Sequence, residues 1–284
     1  MEPDPRDVDP VDSALGTPAQ VFAAGRGAEE SGELERAHDL YTHAIGAGTQ
    51  HGDWYYRLGC VCLKTGRYDQ ARRCFHAGLE RSPGDPRMLT NLGAALDHLG
   101  RRDEALLAYQ RVAFHADAPA AAFHNLGALY AEEGRTEDAV LAFREAVRRD
   151  PDAGGYCSLG LVLMGEGDLI RALDAFERAV ACERDHSLAH YYVGVCLLKR
   201  GRYDDALRRF DLVLRLDPGL VRAHLHRGVC LHKLERYQDA LAALTEAEGA
   251  FPEDARVHFQ LGLTCDALGL ATDARRHYHQ SRIL

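Results

Sequence analysis

A glycine, an alanine and a bulky side chain recur along this sequence at a fixed interval. The glycines are Gly25, Gly59, Gly93, Gly127, Gly160, Gly194, Gly228 and Gly262, 34 residues apart except for a step of 33 between Gly127 and Gly160. Twelve residues after each comes Ala37, Ala71, Ala105, Ala139, Ala172, Ala206, Ala240 or Ala274. Four residues further on stands Tyr41, Phe75, Tyr109, Phe143, Phe176, Phe210, Leu244 or Tyr278. A unit of this length cannot bury its own apolar face, so it must stack on copies of itself.

The stretch Ser187–Leu220 shows what one unit encodes. His190, Val193, Gly194 and Leu197 share one helical face, and Ala206, Phe210 and Val213 share another. Gly194 and Ala206 are small where two antiparallel helices cross, and Phe210 supplies bulk beside them. Gly201 marks the turn, Asp204 and Asp205 suit the positive end of the second helix, and Pro218 stops it. The terminating proline recurs as Pro83, Pro151 and Pro252.

This signature resembles the tetratricopeptide repeat, TPR, over residues 18–284. The resemblance implies an all-α fold, a right-handed α-α superhelix (TPR solenoid) of eight antiparallel helix pairs making about one superhelical turn. Its repeats would be 18–51, 52–85, 86–119, 120–152, 153–186, 187–220, 221–254 and 255–284. First helices would line a concave groove and second helices the outer wall. Residues 1–17, with five acidic residues against Arg6 and three prolines, are expected to form a disordered acidic tail. The shortened repeat opens Ala153-Gly154-Gly155 and carries Arg184 where proline is usual. A softer or differently twisted junction near residues 152–156, dividing the array into two halves, is expected there, with a simple loop trim as the alternative.

Composition narrows the function. A net charge of −9 disfavours general nucleic-acid binding, which rests on excess basic charge. No apolar run reaches the length of a membrane span, and the N-terminus lacks the layout of a secretory signal, so a cytoplasmic protein is expected. The eight cysteines have no zinc-like spacing and read as reduced, mostly buried thiols. No nucleophile elbow, phosphate loop, dinucleotide fingerprint or metalloprotease helix is present, so neither an enzyme nor a cofactor is expected. His190, His224 and His258 repeat in register, but neighbouring repeats are roughly 10 Å apart, too far for one metal ion.

The groove is the expected site. At the sixth repeat position stand Arg57, Asn91, Asn125, Tyr192 and His226, with Tyr56 beside Arg57 at the fifth. In several TPR proteins an Asn at this position grips a peptide backbone, because an amide donates and accepts at once. Only Asn91 and Asn125 would do so here, and a solvated helix-surface role remains the alternative. Arg222 and Arg256 at the second position, with Lys199 and Lys233 at the thirteenth, add a basic stripe. That stripe points to an acidic peptide partner, unless these cations pair with neighbouring acids. The chaperone-tail clamp of some TPR domains is not matched, since Tyr56/Cys60 and Tyr191/Val195 replace its polar residues.

The sequence therefore reads as a non-enzymatic adaptor binding a partner segment in a concave groove. The alternatives are a self-assembling structural protein whose acidic tail docks in a neighbour's groove, and the substrate-recruiting subunit of a separate enzyme such as a peptide glycosyltransferase.

Overall fold

The computed structural model describes residues 16–48 and 51–284. Sixteen helices and no strand occur among them. Apart from Gly16 and Thr17, the expected acidic tail lies outside the described residues. No helix among them is long and apolar enough to cross a membrane.

The helices fall into two compact units, Met1–Glu133 and Gly134–Leu284. The first holds α1 (Pro18–Glu30), α2 (Leu34–Gly46), α3 (Gly52–Lys64), α4 (Tyr68–Arg81), α5 (Pro86–His98), α6 (Arg102–Ala113) and α7 (Ala120–Glu132). Here α1 packs on α2, α3 on α4 and α5 on α6, and each pair also packs on the next. The second unit holds α8 (Thr136–Arg149), α9 (Ala153–Gly165), α10 (Leu169–Cys182), α11 (Ser187–Lys199), α12 (Tyr203–Leu216), α13 (Arg222–Lys233), α14 (Tyr237–Ala250), α15 (Ala255–Ala267) and α16 (Ala271–Ile283). Its pairs are α9/α10, α11/α12, α13/α14 and α15/α16, with α8 against α9.

The recurrent residues build the crossings. A Cβ on Gly59 would lie 2.5 Å from the Phe75 ring, one on Gly194 2.8 Å from Phe210, and one on Gly228 2.5 Å from Leu244. No side chain fits there, so the two helices approach as closely as the bulky residue allows. All eight recurrent alanines are at most 1% exposed. The turn inside a pair needs a left-handed residue, which Gly201 supplies at φ 74°. Glu235 occupies the same place in the next pair and holds φ 60°, the single non-glycine residue in that region among the described residues.

Caps and carbonyls set the remaining ends. Thr17 and Gln20 form a capping box on α1, and Asp85 and Asp254 accept the N–H of Arg87 and Arg256. Residues 152–156 lie within the second unit, at the capped start of α9. There Asp152 accepts the Gly155 N–H at 2.5 Å, and a Cβ on Gly155 would lie 2.9 Å from Val147 of α8. Gly155 thus has a packing role: it lets α9 close on α8. All eight cysteines are free. Six are buried, Cys60 is half-buried, and Cys182, the last residue of α10, is exposed.

Candidate peptide-binding groove

In the second unit α9 touches α11, α11 touches α13 and α13 touches α15, so these first helices form one continuous row. Residues at the sixth repeat position sit against the bulky scaffold residue of the preceding pair. Tyr192 of α11 stacks on Phe176 of α10 at 5.0 Å, and His226 of α13 stacks on Phe210 of α12 at 5.5 Å. Tyr191 meets Tyr192 edge-on at 5.3 Å and lies 5.6 Å from His226, so the three rings form one floor. Next to it a hollow of about 390 Å³ is lined by Leu225, His226, Val229, Arg256, Phe259 and Gln260, with Ala255 and Ser281 at its edge. Phe259 is 47% exposed in it.

Cations ring this floor. Burial holds the His226 pKa down to about 4, and the nearby charges of Arg256 and Lys199 push the same way. Burial raises the Tyr191 hydroxyl, the Tyr192 hydroxyl adds to that, and Arg222 and Arg256 oppose it. Lys199 and Arg256 thus act electrostatically on His226, and Arg222 and Arg256 on Tyr191. Lys233 lies about two turns further along α13 than His226, beside His232, whose pKa is lowered by burial and then by Lys233. Arg256 is committed to Asp254, Nη2 to Oδ2 at 2.6 Å. Lys199, Arg222 and Lys233 are exposed, and no acid pairs with them among the described residues.

The first unit presents a different surface. The Arg87 guanidinium covers the Tyr56 ring at 4.7 Å. Asn91 donates from Nδ2 to the Cys60 sulfur at 3.3 Å, and Asn125 donates from Nδ2 to the Tyr109 hydroxyl at 3.0 Å. Asn91 also lies at the Tyr56 hydroxyl. Arg57 lies 3.5 Å from Glu29 and 3.6 Å from Asp53. Glu29 also accepts from the Tyr41 hydroxyl at 2.9 Å and from Lys64 at 3.1 Å. Burial works to raise the Glu29 pKa, but these donors outweigh it and hold the carboxyl below its usual range. Arg57 is thus neutralised within the fold.

Both units follow one family pattern. The model of the cilia and flagella-associated protein 70 middle TPR-like domain matches residues 22–149, and a tetratricopeptide repeat model matches 157–221, 197–255 and 231–281. The chain belongs to the tetratricopeptide repeat family. Among solved TPR structures it is similar to YrrB, described as a TPR protein with an unusual peptide-binding site. There the identity is 26% and the TM-score 0.59, over 64% of this chain and 95% of YrrB. It is also similar to MamA from Desulfovibrio magneticus RS-1, at 25% identity and TM-score 0.55, over 58% of this chain and 94% of that one. PilF of Pseudomonas aeruginosa, at 20% identity and TM-score 0.62 over 72% of this chain and 94% of its own, shares the fold alone. No curated protein matches the sequence.

Within this TPR frame the site residues divide by unit. Tyr56, Arg57, Asn91 and Asn125 belong to the first, and Tyr192, Lys199, Arg222, His226, Lys233 and Arg256 to the second. What the repeat register did not convey is that the sixth position has a scaffold duty. Where the preceding ring is a tyrosine, Asn125 or Arg57 lies at its hydroxyl; where it is a phenylalanine, Tyr192 or His226 stacks on it. Tyr191 and Phe259, both aromatics of the fifth repeat position, complete the floor.

Proposed function

We propose that this TPR chain is a non-enzymatic scaffold that binds an extended, acidic segment of a partner protein on the inner face of its second unit. One observation carries the reading: Lys199, Arg222 and Lys233 are exposed and lack acidic partners among the described residues, on the two helices, α11 and α13, that carry Tyr191, Tyr192 and His226 of the ring floor. Exposed cations steer an acidic segment and pair with its carboxylates. Tyr192 and Phe259, on the support of the buried Tyr191, offer flat apolar area for side chains between those carboxylates. The positive face stands out on a chain of net charge −9, so the acidic remainder repels wrong orientations. The similarity to YrrB, itself described as peptide-binding, supports the same use of the fold. In the first unit the amides of Asn91 and Asn125 carry both donor and acceptor groups, the chemistry a peptide backbone needs.

The acidic residues 1–17 carry the chemistry this face would bind, so a second copy of the chain is a competing occupant. Binding of a synthetic acidic peptide, measured for the native chain and for Arg222→Glu/Lys233→Glu, tests the proposal. Equal affinity for both proteins would refute it. Light scattering on the full chain and on a form lacking residues 1–17 separates the copy from a foreign partner.

A further inference from the structure

The histidine ladder is broken in its last rung. His190, His224 and His258 share one register, and His190 and His258 make the same contact through Nε2, to the carbonyls of Arg184 at 2.9 Å and Pro252 at 2.7 Å. A carbonyl only accepts, so both rings carry their proton on Nε2 and turn a bare Nδ1 inward. Facing that nitrogen, nineteen residues on, are Arg209 for His190 and His277 for His258, while the His224 Nδ1 lies 2.8 Å from Glu246 Oε2. Arg209 donates to His190 Nδ1 at 3.1 Å, an ordinary satisfied pair. His277 instead brings a second imidazole to within 3.2 Å of His258 Nδ1, also through Nδ1. Both rings are buried, at 3% and 4% exposure. Glu248 of α14 closes the triangle, Oε1 lying 3.5 Å from His258 Nδ1 and 3.8 Å from His277 Nδ1. The scaffold does not require these residues, since Leu214 stands where Glu248 does one repeat earlier.

We infer that Glu248, His258 and His277 form a site for one divalent transition-metal ion of the Zn2+ type. Metal–ligand bonds of about 2.0–2.2 Å to nitrogen and carboxylate oxygen place tetrahedral ligand atoms about 3.3–3.5 Å apart. The three edges of this triangle need only tenths of an ångström of adjustment to meet that. Two imidazoles and one carboxylate suit Zn2+ or Co2+ and give Mg2+ and Ca2+ little reason to bind. The Pro252 carbonyl fixes the His258 tautomer in the manner of an outer-shell ligand. Without metal, His277 donates Nδ1–H to His258, while its Nε2 accepts from Arg276 at 3.2 Å. On binding, that proton moves from Nδ1 to Nε2, and the Arg276 guanidinium, already exposed, turns to solvent. Water completes the coordination on the side of Glu248, the most exposed of the three. The ion would tie α14, α15 and α16 together, and α16 otherwise buries only Ala274 beside His277 among its described residues.

The test uses the full chain, stripped with a chelator and titrated with Co2+ and then Zn2+ alone. The expected result is one equivalent of Co2+ with the visible absorption of a tetrahedral ion, displaced by Zn2+, which raises the melting temperature. Glu248→Gln and His277→Gln should each weaken binding by at least about tenfold, the lower bound seen for outer-shell losses. His279→Gln, on the exposed face of α16, should change nothing. Circular dichroism checks that the variants fold; Glu248→Gln alters a half-exposed side chain and decides the matter if His277→Gln unfolds. Absence of the tetrahedral spectrum, a thiolate charge-transfer band, or full binding by Glu248→Gln would overturn the assignment.

Discussion

The His226 imidazole lies 5.5 Å from the Phe210 ring at an interplanar angle of 22°, so a groove residue rests on a scaffold residue. The contact excludes water from one face of the imidazole and keeps it neutral. Lys199 and Arg256 on the neighbouring first helices oppose its protonation further, and Tyr191 offers no negative charge at neutral pH.

This fixes a pH dependence. The unfolded chain protonates His226 near its ordinary value of about 6.5, and the folded chain only near about 4. Between these values the unfolded state binds more protons, so stability falls as pH drops and rises as pH climbs. The contribution is on the order of 3 kcal/mol and is complete above the unfolded value. Denaturant unfolding of native and His226→Phe proteins from pH 7 to 4 should show a shallower slope in the variant. Identical slopes would mean that His226 is not held neutral.

The helix crossings give a second test. Gly194→Ala drives a Cβ into the rigid Phe210 ring, and overpacking of this kind costs about 1–3 kcal/mol. Gly27→Ala in α1, where a Cβ meets nothing within 4 Å, should instead stabilise by up to about 1 kcal/mol. Chemical denaturation of both variants should give opposite signs.

Glu235 supplies a third. A left-handed conformation costs a non-glycine residue roughly 1–2 kcal/mol, so Glu235→Gly should raise stability by about 1 kcal/mol. The reverse change at Gly201 should lower it by a similar amount. Melting curves of the two variants read both effects.

The Glu29 network yields the fourth. Its carboxylate accepts from Tyr41 and Lys64 and lies beside Arg57, with 14% of the side chain exposed. Glu29→Ala should cost about 1–3 kcal/mol, because Tyr41 and Arg57 lose their acceptor. Its folded pKa is depressed, so the native contribution is present above the ordinary carboxylate range and fades as pH falls through the folded value. Acid unfolding of the variant should lack that component.

How far the sequence spoke depends on what sets each feature. The fold was legible because Gly194, Ala206 and Phe210 answer to one crossing that every pair must make. That Lys199 and Arg222 are exposed was legible too, since the repeat register puts both on a helix surface. Pairing was not. Arg256 is held by Asp254 two residues away, Arg57 by Glu29 from another helix pair, and Asn125 by Tyr109; all depend on rotamers that a repeat register does not contain. The His258–His277 contact was hidden for the same reason. Reading the histidines along the ladder compared equivalent positions, whereas the contact runs across a helix pair, nineteen residues apart.

The most direct test of the account is a peptide-library selection on the native chain, repeated on Lys199→Glu/Arg222→Glu/Lys233→Glu. The account predicts that the native chain enriches extended sequences rich in Asp and Glu, with apolar residues between them, and that the triple variant loses them. Enrichment of neutral or basic sequences, or the same acidic set on both proteins, would contradict it.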